Sequence, residues 1–227
     1  MHTTLEQIIN EYAIENIVTE TIIENPTSTP DFPLLIGSLR IDISSLCELS
    51  AEKLVELSAK NPLLKIESEG KHILIINQSM NHLDNQKKLT RLLIKLGIWN
   101  EVSNNNKGEL LDSGGSIEFS DSSVKMPDIT YILREKLQNH PKGTVLLIIP
   151  DFVVEYVSTY DSLKEAKEKM NFYMQQQVPL AWLIVPKETQ TYIYKPNEIV
   201  KTCQFDEFLD GENILANFSI RLSDIFE

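Results

Sequence analysis

Residues 150–170 read PDFVVEYVSTYDSLKEAKEKM, an apolar strand running into an amphipathic helix. Side chains alternate along a strand, so Asp151, Val153 and Glu155 share one face. Glu155 lies inside the apolar run, where an ionised carboxylate is costly unless it has a partner, a metal or a raised pKa. The next residue on that face is Val157, which brings no charge. If Glu155 belongs to a metal site, the cation expected beside it has to come from another element.

The remaining pattern gives the elements around that strand. Ser50 caps a short helix that Asn61-Pro62 ends. LLKIE and HILIIN flank Gly70 as a hairpin. Leu89, Leu92, Leu93, Leu96 and Trp99 recur on one face of NHLDNQKKLTRLLIKLGIWNE, an amphipathic helix. Short strands ELLD and SIEF surround Gly114-Gly115. PDITYIL, PDFVVEYV, LAWLIV and TQTYIYK read as further strands, with the helix SLKEAKEKMNFYMQQQ after the second. Helix, strands, helix, strands is the order of an α/β or α+β core built on a mixed sheet. No glycine-rich phosphate loop and no G-x-S-x-G elbow is present, so nucleotide-binding and serine-hydrolase classes have no support.

Charge divides the chain. The net charge is −12. Residues 1–50 hold eight acids (Glu6, Glu11, Glu15, Glu20, Glu24, Asp31, Asp42, Glu48) against one base, Arg40. Leu5, Ile8, Ile9, Tyr12 and Ala13 have helical spacing, so an amphipathic helix is expected over 3–18. NPTSTPDFP then breaks regular structure at Pro26, Pro30 and Pro33. Residues 1–48 are thus expected as an acidic extension and 49–227 as the main domain. An acidic chain argues against nucleic acid as a partner, although a carboxylate cluster for Mg²⁺ accounts for several of the acids. Two cysteines, Cys47 and Cys203, make neither a disulfide framework nor a four-ligand zinc site. With no apolar stretch long enough to span a bilayer and no secretory leader pattern, a cytoplasmic protein without a membrane partner is expected.

MPDITYI and IPDFVVEYV repeat a theme: proline, aspartate, strand. Proline suits a strand start, which sets Asp128 at the mouth of one strand and Asp151 and Glu155 on another. If the strands are neighbours their carboxylates converge, and Mg²⁺ needs only a few such oxygens plus waters. The plainer alternatives are turn or cap residues for Asp128 and Asp151, and a core glutamate paired with a helix lysine for Glu155. On the helix, Lys169 borders the apolar stripe of Ala166, Met170, Tyr173 and Met174, where its stem can run along the core. Lys164 and Lys167 fall on the other flank. A solvated pair with Glu165 is the plainer reading of Lys169.

From about Leu57 onward, LSAKNPLLKIE, LIKLGIWN, MPDITYI, PDFVVEYVSTYDSLKEAKEKMNFY, QVPLAWLIVP and IYKPN resemble, in order, the Uma-type family of putative restriction endonucleases. That family lies within the PD-(D/E)xK nuclease superfamily. The resemblance implies a restriction-endonuclease-like core with flanking helices and hydrolysis of DNA phosphodiesters. It also implies dependence on Mg²⁺, or Mn²⁺ in its place, and a homodimer. Asp128 matches the first aspartate of the motif and Glu155 its second acid. The motif lysine falls on Val157, and Lys169 stands where the lysine shifts to the following helix. Glu67 matches an early acidic position, and His82 a place where relatives often have histidine. The turn VSTYDS replaces a Ser-Pro-Ser-like turn, and Val185 stands where relatives usually have aspartate. These departures leave a second expectation, an inactive nuclease fold acting as a protein-interaction module through the acidic N-terminal helix.

Overall fold

The computed structural model describes residues 17–18, 38–43, 50–61, 64–77, 83–138, 140, 145–159 and 161–226. The fold is a mixed α/β architecture, with a central sheet and a smaller one beside it.

The smaller sheet joins β1 (Ile17–Val18), β2 (Ser38–Asp42), β3 (Leu64–Glu69) and β4 (His72–Asn77) in the order β1-β2-β4-β3, antiparallel throughout. Gly70 takes φ +55° at the β3–β4 turn, a conformation glycine adopts without a Cβ penalty. Helix α1 (Ala51–Lys60) covers one face, where Leu54 and Leu57 meet Ile41, Ile66 and Ile75. Ser50 caps that helix as expected, its hydroxyl accepting from the Lys53 N–H. Ile17–Val18, the last two residues of the helix expected over 3–18, are a strand instead, paired with Arg40 and Ile41. Residues 1–16 lie outside the described residues. Strand β2 also precedes residue 48, and all five of its residues pair with β4.

Helix α2 (Leu83–Val102) leads into β5 (Gly108–Asp112), β6 (Ile117–Glu118), β7 (Val124–Lys125) and β8 (Ile129–Leu133). There follow α3 (Arg134–Leu137), β9 (Leu146–Leu147), β10 (Phe152–Tyr156), α4 (Leu163–Gln175), β11 (Leu180–Val185), β12 (Gln190–Tyr194) and β13 (Lys201–Gln204). The chain closes with β14 (Leu209–Asp210), β15 (Ser219–Ile220) and α5 (Ser223–Phe226). The central sheet runs β13-β12-β11-β10-β8-β5; β10 and β11 are parallel across the α4 crossover, and all other neighbours are antiparallel. Strands β6, β7 and β9 form a small separate sheet, and β14 pairs with β15.

Every residue of β10 and β11 is buried because both faces of the sheet are covered. On one face Phe152, Val154, Trp182 and Ile184 meet Leu92, Leu96 and Trp99 of α2. On the other, Val153, Ala181 and Leu183 meet Met170, Phe172 and Tyr173 of α4. By alternation Glu155 belongs to this second face, beneath α4. Among the described residues no helix is long and apolar enough to cross a membrane.

Candidate active site

Three elements deliver charged side chains to the end of the central sheet. Strand β3 buries Ile66 among the apolar residues of the smaller sheet and turns Lys65 and Glu67 the other way. Residues 124–126 tie β3 to the entrance of β8: Val124 N–H donates to Ser68 Oγ (3.0 Å) and Met126 N–H to Glu67 Oε1 (2.9 Å). Asp128 follows two residues on. Its N–H donates to Val154 O (3.0 Å), and its Oδ2 accepts from Tyr156 N–H (2.8 Å), so it straddles Glu155 on the neighbouring strand.

Two lysines cross-link these acids. Lys169 Nζ lies 2.7 Å from Glu67 Oε1 and 2.8 Å from Glu155 Oε1. Lys65 Nζ lies 3.2 Å from Asp128 Oδ1 and 3.9 Å from Glu67 Oε1. Tyr173, one helical turn beyond Lys169, donates its hydroxyl to Glu155 Oε1 at 2.7 Å. The result is a chain of alternating charge, Asp128–Lys65–Glu67–Lys169–Glu155, in which Asp128 is the most open acid at 19% side-chain exposure. One oxygen, Glu67 Oε2, is buried with no hydrogen-bond partner.

The electrostatics separate the two glutamates. Burial alone would raise Glu67, but the ammoniums of Lys169, Lys65 and Lys125 outweigh it and hold the group at about 2. Burial raises Glu155, and although Lys169 and Lys65 oppose the rise, the charges of Asp128 and Glu67 reinforce it. Tyr173 is pushed well above the usual phenol range by burial and by Glu155 and Glu67 beside it, so it stays a neutral donor. Burial would lower Lys65, yet Asp128, Glu155 and Glu67 raise it above the ordinary lysine value and keep it charged.

Four sequence-predicted residues meet here: Asp128, Glu155, Lys169 and Glu67. Asp151 does not. It sits at the other end of β10, about 13 Å from Glu155 by strand rise, where its Oδ2 accepts from Leu133 N–H (2.9 Å) and its Oδ1 pairs with Lys136 (2.8 Å). His82 lies outside the described residues. Lys164 reaches toward Glu168 at 3.9 Å, and Lys167 sits over the Tyr192 ring at 4.3 Å, both away from the acids. Sequence reading missed Lys65 and the hydroxyl of Tyr173. The i, i+2 rule that groups Asp151, Val153 and Glu155 also puts Lys65 beside Glu67, so the signal was present in LLKIE.

Among the described residues no group of three histidine, cysteine or acidic side chains is arranged to hold a metal. Mg²⁺, however, takes one or two carboxylates and fills its octahedron with water and substrate oxygens. Asp128 and Glu155, hard oxygen donors on neighbouring strands with an unpartnered oxygen of Glu67 close by, suit that requirement.

A mixed sheet with one parallel crossover, acids on adjacent strands and a lysine on the crossover helix define a restriction-endonuclease-like protein. The chain belongs to the Uma2 family, described as "putative restriction endonuclease", which matches residues 52–223. No curated protein matches it. Among solved structures it is similar to "a putative nuclease belonging to DUF820" from Anabaena variabilis, at 17% identity and a TM-score of 0.64. That similarity covers 79% of this chain and 98% of the other, and it bears on the fold.

Proposed function

We propose that this protein is a Mg²⁺-dependent endonuclease that hydrolyses DNA phosphodiester bonds, with Mn²⁺ able to replace Mg²⁺. The observation that carries the reading is the pair of contacts from Lys169 to Glu155 and Glu67, next to Asp128 on the adjoining strand. Glu155 demands a cation, Val157 does not supply it, and the crossover helix does.

Asp128 and Glu155 hold the metal in this reading. When bound, the ion activates water and offsets charge on the phosphoryl transition state. Lys169 places an ammonium beside the reacting phosphate, where fixed positive charge is worth most because solvent is excluded. Glu67 anchors Lys169, and Tyr173 fixes the rotamer of Glu155 while donating to its ionised form.

DNA lies along the site through its phosphates. Helix α2 carries Lys87, Lys88 and Lys95, while Arg91 donates to Ile225 O at 3.0 Å, and Asn85 accepts from Tyr156 OH at 3.2 Å. That contact ties the basic helix to the end of the sheet bearing Glu155. Cutting both strands takes two such sites, so the active species is a homodimer.

Supercoiled plasmid incubated with the protein and Mg²⁺ is expected to become nicked and then linear. Chelation should abolish both products. A native chain inert with both Mg²⁺ and Mn²⁺ overturns the reading.

A further inference from the structure

Lys65 is a second lysine in the cluster, brought by a different element and from a different sheet. Its side chain is 6% exposed, and taking an ammonium out of water is costly before pairing recovers any of the loss. A structural role explains this poorly, since replacing a buried ion pair by apolar groups is often neutral or stabilising. Its main partner is the most open of the acids, Asp128, at the side of the cluster away from Lys169.

The cluster holds three carboxylates and two ammoniums. Were Asp128 and Glu155 to hold a divalent ion, Lys65 would compete with it for Asp128, because the two positive charges repel each other. Glu67 stays within 3.9 Å and keeps the stem near the site, but its Oε1 is already shared by Lys169 and Met126 N–H, and the remaining Oε2 cannot satisfy three donors alone. A phosphoryl oxygen would supply the missing acceptor.

We infer that Lys65 is a phosphate-binding residue that substitutes for the metal ion: it neutralises Asp128 while the metal is absent and turns to a phosphoryl oxygen of the DNA when the metal arrives. This rests on the nuclease reading above. It assigns the two lysines different work, Lys169 at Glu155 and Lys65 at Asp128.

Mn²⁺ affinity of the DNA-free protein, measured by titration calorimetry, is paired with single-turnover cleavage of a labelled duplex. Lys65→Met removes the competitor for Asp128, so Mn²⁺ should bind about tenfold more tightly, in line with the effect of one close charge on a carboxylate. The same variant should cleave roughly 100-fold more slowly, the loss typical of one missing transition-state donor. A lysine needed only for folding would weaken both. Lys65→Gln, which keeps a donor toward Asp128, is the second variant should the first unfold, with the same two directions expected. Unchanged or weaker Mn²⁺ binding in a folded variant, unchanged cleavage, or failure of both variants to fold overturns the assignment while leaving the nuclease reading intact. A native chain that neither binds Mn²⁺ nor cuts DNA removes both.

Discussion

At the scale of single residues, Glu155 and Glu67 are opposites inside one cluster. Glu155 is raised by burial, so its ionised form is less stable in the fold than in the unfolded chain. Its contribution is full below its ordinary value of 4.5 and is lost as pH climbs through the raised value. Glu155→Gln should therefore raise the melting temperature at pH 8, with the gain fading below pH 4.5, even as it removes cleavage. Scanning calorimetry across pH checks this, and a variant that melts lower than native at pH 8 contradicts it. Glu67, held at about 2, adds stability that is present above 4.5 and lost as pH falls toward 2, so it supports the site that Glu155 strains. The Glu155–Lys169 relation was implied by the family resemblance, and the strand and helix periodicities allow it because the two elements are consecutive. For Lys65, LLKIE showed only that it shares a face with Glu67; its contact with Asp128 spans 63 residues and leaves no local trace.

At the scale of elements, α2 does two jobs on two faces. Its inner face carries Leu92, Leu96 and Trp99 and ends in a polar latch. Asn100 donates to Gly108 O at 2.9 Å, and Asn104 donates to Tyr131 OH at 2.6 Å. Gly108 opens β5 directly under the Tyr131 ring, where an added Cβ would lie 2.1 Å from Cε2. Gly108→Ala should cost about 1–3 kcal/mol by overpacking, read from urea unfolding; a neutral substitution would mean that the ring is free to move. Away from that face, Lys87 and Lys95 are exposed and Lys88 is half-buried, alongside exposed Ile94 and Ile98. Changing Lys87, Lys88 and Lys95 together to Gln should weaken binding to unrelated duplexes by a similar factor. The slope of log K against log salt should fall by roughly 0.9 for each phosphate that is no longer neutralised. An unchanged slope would place the DNA elsewhere. The amphipathic pattern of α2 was visible in sequence, as were α4 and the hairpin around Gly70. Strands of two residues, such as β7 and β9, were not, because two residues show no period.

At the scale of the whole molecule, the smaller sheet completes the site. Without β3 the central sheet offers Asp128 and Glu155 with one lysine; with it come Glu67, which anchors that lysine, and Lys65. The apolar faces explain why the arrangement is rigid: β10 is packed on both sides, so Glu155 has no room to turn away from α4. The other expectation, an inactive nuclease fold that binds protein partners, predicts a native chain that cuts no DNA with either Mg²⁺ or Mn²⁺. In the proposed reaction Asp128, Glu155 and Lys169 cut DNA with a divalent ion. Single-turnover cleavage of a labelled duplex in Mg²⁺ tests it most directly, with native protein beside Glu155→Gln and Lys169→Met. Cleavage by the native chain, with a loss of at least about 100-fold in each variant, is the predicted result; cleavage that survives both substitutions, or no cleavage by the native chain in Mg²⁺ or Mn²⁺, contradicts it.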